Sequence, residues 1–148
     1  MSIEGNNEAQ AVHQGHCFCG SVKLEVRGDA AAQGYCHCRS CRSHSGAPVR
    51  GFTLWPADAV TVGQGELKGF NKTGFSDRQH CANCGGQVLI DHPTIGMVDV
   101  HSSTIPDFPF RPALHVNYQE HVLAIRDGLP KQRDFPAELG GSGELVPE

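Results

Sequence analysis

The sequence predicts a mainly β protein, and three observations predict it. Eighteen glycines and nine prolines are spread along 148 residues, which favours many turns. No window keeps apolar residues at i, i+3, i+4 and i+7 over a helical length. Residues 21–26 alternate instead, with Val22, Leu24 and Val26 set against Ser21, Lys23 and Glu25, the pattern of a strand with one buried and one wet face.

Taken along the chain, strands are predicted at 21–26, 49–54, 60–62, 86–90, 97–101 and 114–116, separated by Gly, Pro, Asn or Asp. On the strand at 97–101, Asp99 and His101 are expected on the exposed face. Residues 1–12 and 138–148 carry too little apolar surface to offset their ordering entropy. They are expected to be a mobile N-terminal segment and a flexible tail around one domain at 13–137, a length that fits a single core.

Composition excludes several function classes. Sixteen acidic residues against twelve basic ones give a formal charge of −4, and there is no Lys/Arg run or basic tail. Long-range attraction for phosphate backbones or anionic lipid is therefore missing, and no nucleic-acid partner is expected. No apolar stretch is long enough to span a bilayer, and the polar start lacks the basic and hydrophobic parts of a secretory signal. A cytoplasmic location without a membrane partner is the expectation.

The seven cysteines fall in three tight groups: Cys17 and Cys19; Cys36, Cys38 and Cys41; Cys81 and Cys84. An odd number of cysteines in a cytoplasmic chain, most of them one or two residues apart, argues against a disulfide framework. Metal binding is the better reading, because Cys-x-Cys and Cys-x-x-Cys turns supply two thiolates to one zinc ion. Gly20 and Gly85, each just after a pair, suit such a turn.

Counting assigns the groups. Cys36, Cys38 and Cys41 are too close in sequence to serve different ions, and adding either outer pair would give five cysteines for one tetrahedron. The outer pairs, Cys17, Cys19, Cys81 and Cys84, then form a complete structural site that closes a loop of about sixty residues. The middle group leaves a fourth position. Spacing alone leaves two readings of it: an open site for an outside ligand, or an inert one completed by His44, His80 or His101. His37, between two ligands, is expected to point away from the metal.

These residues resemble a known family. The runs Gly15-His16-Cys17-Phe18-Cys19-Gly20-Ser21-Val22 and Tyr35-Cys36-His37-Cys38-Arg39-Ser40-Cys41-Arg42, with Ser45-Gly46-Ala47-Pro48 behind, then Arg78 and Cys81-Ala82-Asn83-Cys84-Gly85, are similar to the glutathione-dependent formaldehyde-activating enzymes, a family that includes centromere protein V. The resemblance covers about Gly15 to Pro130. It implies a β-tent of antiparallel sheets stapled by the four-cysteine zinc, and a second, catalytic zinc on Cys36, Cys38 and Cys41. It also implies a carbon–sulfur lyase activity in which glutathione, as co-substrate, adds to formaldehyde or another small electrophile. His80 stands where the family usually has an aromatic residue, and His121 where it often has tryptophan.

Within that reading Arg39 and Arg42 are candidates to pair with glutathione carboxylates, since planar guanidinium groups bind carboxylates in bidentate fashion. They equally serve to offset the charge of the thiolates, or sit solvated. His37, His44 and His80 are candidate proton donors. Two other classes compete: a glutathione or zinc carrier without turnover, and a zinc-ribbon-like interaction module, the latter opposed by the acidic balance.

Overall fold

The computed structural model describes residues 10–148; the expected mobile segment lies mostly outside them. The chain is mainly β, with two sheets and one α-helix among the described residues. It divides into two compact units. One comprises the described part of Met1–Ala32 with Thr53–Phe110, the other Gln33–Phe52 with Arg111–Glu148.

The first unit contains β1 (Val12–His16), β2 (Lys23–Arg27) and β5 (Val60–Gln64), which form an antiparallel sheet in the order β1-β2-β5. The predicted alternation holds: Val22, Leu24 and Val26 are buried, and Lys23 and Glu25 are exposed. The unit also holds β6 (Leu67–Asn71), β7 (Asp77–Cys81), β8 (Gln87–His92) and β9 (Met97–His101), each antiparallel to the next. Beyond β9 comes the end of β4 (Arg50–Pro56), the strand in which the division between units falls.

Its core is Val22, Leu24, Val26, Trp55, Val88, Val100 and Ile105, packed with Phe108. Two polar side chains in this core pair with each other: Trp55 Nε1 donates to Thr53 Oγ1 at 2.9 Å, and that hydroxyl donates to the Val100 carbonyl at 2.6 Å. Asp99 and His101 correct the sequence reading, because both are buried rather than exposed. β9 is flanked by β8 and β4 and has no wet face along Val98–His101, so period-2 alternation carries no information about exposure there.

The second unit is built on β3 (Ala32–Cys36), which runs parallel to β10 (Leu114–Val116) in the order β10-β3-β4. The helix α1 (Arg39–Ser45) follows β3 after two residues. It starts on Cys38, whose sulfur accepts from the Cys41 N–H, and ends on Gly46, left-handed at φ 76°. Seven residues are too few to leave a helical period in the sequence, so α1 was not predicted. β1, β3, β6 and β7 were also missed, because their apolar residues do not alternate.

Residues 130–134 run beside the end of β10. His115 N–H donates to Pro130 O at 2.9 Å, Gln132 N–H to His115 O at 2.8 Å and Asn117 N–H to Asp134 O at 2.7 Å. The segment 138–148 makes contacts of its own: Val146 N–H donates to Lys131 O at 2.9 Å, and Arg133 meets Glu144 at 3.0 Å. No described helix is long and apolar enough to cross a membrane.

Candidate metal centres

The first unit brings together Cys17, Cys19, Cys81 and Cys84, whose sulfurs all lie within 4.8 Å of one another. Two tight turns place them. Gly20 N–H donates to Cys17 O at 3.1 Å and Gly85 N–H to Cys81 O at 2.9 Å. Both glycines have positive φ, 84° and 78°, which a residue with a Cβ adopts only at a cost.

The donor set fits zinc. Zn–S bonds of about 2.3 Å in a tetrahedron put sulfurs about 3.8 Å apart; Cys17 and Cys19 are 3.7 Å apart, and Cys19 and Cys81 are 3.9 Å apart. Backbone N–H groups point at the sulfurs: Val22 to Cys17 at 3.2 Å, Asn83 to Cys81 at 3.3 Å and Gly86 to Cys84 at 3.4 Å. Ser21 Oγ lies 3.1 Å from Cys19 and 3.3 Å from Cys81. The Ser21 hydroxyl, joined by the Asn83 amide, lowers the Cys19 thiol to about 5, and the same hydroxyl lowers Cys81. Hydrogen bonds to the charged form favour thiolate, the form a metal takes.

The second unit brings together Cys36, Cys38 and Cys41, again within 4.8 Å. Among the described residues this group has three sulfurs and no histidine nitrogen. Cys36 ends β3 and is buried, Cys38 caps α1, and Cys41 sits buried in its first turn, so a strand end and a helix start converge on one point. Asn117, left-handed at φ 54°, aims its amide at Cys36 Sγ, 3.5 Å away. Contact with Cys38 and Cys41, together with burial, pushes the Cys36 thiol well up. Three thiolates this close repel one another unless a cation neutralises them, so this set also fits zinc.

The other sequence candidates separate clearly. Arg42 is committed to protein: its Nε donates to His37 O and one Nη to Glu120 O, both at 3.0 Å. Arg39 is exposed, and its backbone N–H donates to Glu120 Oε1 at 2.8 Å. His44 is exposed on α1. His80, on β7, and His101, on β9, belong to the first unit.

His37 is fully buried, and its Nε2 lies 2.8 Å from His115 Nδ1. His115 Nε2 lies 2.8 Å from Asp127 Oδ2, and Asp127 Oδ1 accepts from Lys131 Nζ at 2.6 Å. Lys131 is itself buried, and its ammonium also donates to Leu129 O at 2.9 Å and Glu148 Oε2 at 2.8 Å. Burial, then the neighbouring His115, lowers His37 to about 4. Burial works to raise the Asp127 carboxyl, but the Lys131 and His115 hydrogen bonds hold it well below the usual carboxylate range. Sequence reasoning missed Asn117, His115, Asp127 and Lys131, none of which stands near a cysteine in the chain.

Residues 12–122 match the family described as glutathione-dependent formaldehyde-activating enzyme. No curated protein matches the chain. A Rhodobacter sphaeroides protein of known crystal structure is similar at 21% identity and a TM-score of 0.48, covering 65% of this chain and 90% of that one.

Proposed function

The chain belongs to the glutathione-dependent formaldehyde-activating enzyme family, and from that premise we propose that it is a carbon–sulfur lyase-type enzyme adding glutathione to formaldehyde or a related small electrophile, with two zinc ions per chain. The observation that carries this reading is the contrast between the two cysteine groups. Four sulfurs complete a tetrahedron, whereas Cys36, Cys38 and Cys41 supply three ligands and no histidine nitrogen joins them among the described residues.

The four-cysteine group is the structural site, and the three-cysteine group is where the thiol is taken up. Zinc held by Cys36, Cys38 and Cys41 supplies, when bound, a Lewis acid that keeps an incoming thiol deprotonated near neutral pH, where a free thiol of pKa about 8.5 is mostly protonated. The remaining work falls to the chain's own residues. The glutathione sulfur attacks the aldehyde carbon, a C–S bond forms, the carbonyl π pair moves to oxygen, and that oxygen takes a proton. His44 is the exposed candidate to hand it over; His37 is not, since its Nε2 is committed to His115 and the residue is buried.

Arg39, exposed at the start of α1, is the candidate for a glutathione carboxylate. Arg42 instead braces the turn by tying His37 to Glu120. A cytoplasmic setting suits reduced cysteines and a glutathione co-substrate.

Thiols and formaldehyde combine without help, so the test is kinetic. The approach to the S-hydroxymethylglutathione equilibrium should quicken in proportion to added protein, and Cys38→Ser should lose the effect. Glutathione binding without acceleration would leave a carrier and sink the enzyme.

A further inference from the structure

A run of hydrogen bonds from buried Lys131 through the exposed Asp127 to the buried His115 and His37 ends between two of the three cysteines, yet its residues have no part in the chemistry described above. His37 is pinned on three sides. Its N–H donates to Val116 O at 3.1 Å, its carbonyl accepts from Arg42 Nε at 3.0 Å, and its Nε2 meets His115 Nδ1 at 2.8 Å. Its remaining polar atom, Nδ1, is buried and has no hydrogen-bond partner among the described residues.

The protons in this run follow from its far end. Asp127 uses its two oxygens separately: Oδ1 accepts from the Lys131 ammonium at 2.6 Å and from Leu129 N–H at 3.0 Å, while Oδ2 faces His115 Nε2 at 2.8 Å. An ionised carboxylate only accepts, so His115 carries its proton on Nε2. With His115 neutral, its one N–H is used on Nε2, so its Nδ1 accepts and His37 donates from Nε2. His37 Nδ1 is then a bare lone pair. Were that atom an N–H, it would be a buried donor without an acceptor, which costs more than an unpaired lone pair would.

We infer that Asp127 is a positioning residue for the three-cysteine site: through His115 it fixes the tautomer of His37, and with it the placement of the Cys36 and Cys38 sulfurs that flank it. Loss of a partner hydrogen-bonded directly to a metal ligand typically weakens metal binding 10- to 100-fold; His37 is no ligand but is covalently joined to Cys36 and Cys38, so the low end of that range is expected. The inference rests on the proposed role of Cys36, Cys38 and Cys41, but its test needs neither glutathione nor formaldehyde.

Asp127→Asn is the decisive change, because the amide has one accepting end. Lys131 and Leu129 both donate to the Oδ1 position, so the asparagine oxygen stays there and its NH2 group faces His115. A donor at that point inverts the run: His115 must move its proton to Nδ1, and His37 must then carry its own on Nδ1. Two-bond proton–nitrogen correlation spectra of the zinc-loaded protein read both tautomers directly. Both histidines should be Nε2–H in the wild type and both Nδ1–H in Asp127→Asn.

Competition with a chromophoric chelator should then show the affinity of the three-cysteine site, assigned with Cys38→Ser, falling at least tenfold. The four-cysteine site of the same molecule should stay within twofold and so report an intact fold. His37 found as Nδ1–H or as imidazolium in the wild type at pH 7 would overturn the inference, as would tautomers that Asp127→Asn leaves unchanged. Zinc affinity within twofold at the three-cysteine site would overturn it too. Failure of the wild type to accelerate hemithioacetal formation would strike the proposed function alone.

Discussion

Replacing one ligand in each cysteine group should cost the fold unequally, and the chain separations give the size of the difference. Cys19 and Cys81, 62 residues apart, are brought together in the four-cysteine group, whereas Cys36, at the end of β3, and Cys41, in α1, are close in the chain. Closure entropy grows as about (3/2)RT ln n, so releasing a loop of about 60 residues costs about 2 kcal/mol more than releasing one of about 5. For a chain of this size 1 kcal/mol moves Tm by about 2–4 °C. Cys84→Ser should therefore melt about 4–8 °C lower than Cys38→Ser when both are prepared with zinc. Serine keeps the side-chain size and removes the thiolate, so packing changes little. Thermal unfolding followed by circular dichroism, with zinc content measured on the same samples, is the assay. Equal melting temperatures, or a less stable Cys38→Ser, would refute the division into a structural and an exchanging site.

The Lys131 cluster predicts a particular pH dependence. Lys131 holds the Asp127 and Glu148 carboxyls below their ordinary values, so their stabilisation is fully present above about pH 4 and is lost as pH falls through the lowered folded values. Lys131→Met should lower Tm by about 5 °C near neutral pH, and its melting curve should converge on that of the wild type below about pH 4; a constant gap down to pH 2 would contradict this. Gly34→Ala should also destabilise, because a Cβ at Gly34 would collide with the Leu114 carbonyl across the β3–β10 pair. A Tm within 1 °C of wild type would show that this close approach relaxes freely.

The cysteines were the most legible part of the chain. Their spacing divided them into a group of four and a group of three, and the folded chain brings the same two groups together. The strand at 21–26 was legible for a different reason, since one of its faces is core and the other solvent. β9 shows the limit of that signal: buried on both sides, it carries Asp99 and His101 inside, where alternation reads them as exposed. β3 reads Ala-Gln-Gly-Tyr-Cys, with no apolar period, because it is specified by its neighbours β10 and β4 and by the cysteine at its end.

The support behind the three-cysteine site was not legible at all. His37 and His115 are 78 residues apart, and Asp127 lies in an irregular stretch without helix or strand. No local pattern links residues whose only relation is a buried hydrogen bond. Arg42 illustrates the converse. Its place beside the cysteines marks it as a ligand-binding candidate, but its guanidinium is committed to two backbone carbonyls that hold the turn.

On the proposed function, Cys36, Cys38 and Cys41 form a site that accepts an outside thiol. Cobalt in place of zinc makes this visible, because cobalt–thiolate charge-transfer absorption responds to the number and type of sulfur ligands. Titrating the cobalt protein with glutathione should raise that absorption and saturate at one thiol per chain. S-methylglutathione, which has no ionisable thiol, should do far less, and Cys38→Ser should abolish the change. A cobalt spectrum that glutathione leaves unaltered, with histidine as the fourth ligand, would make both sites structural and refute thiol uptake at Cys36, Cys38 and Cys41.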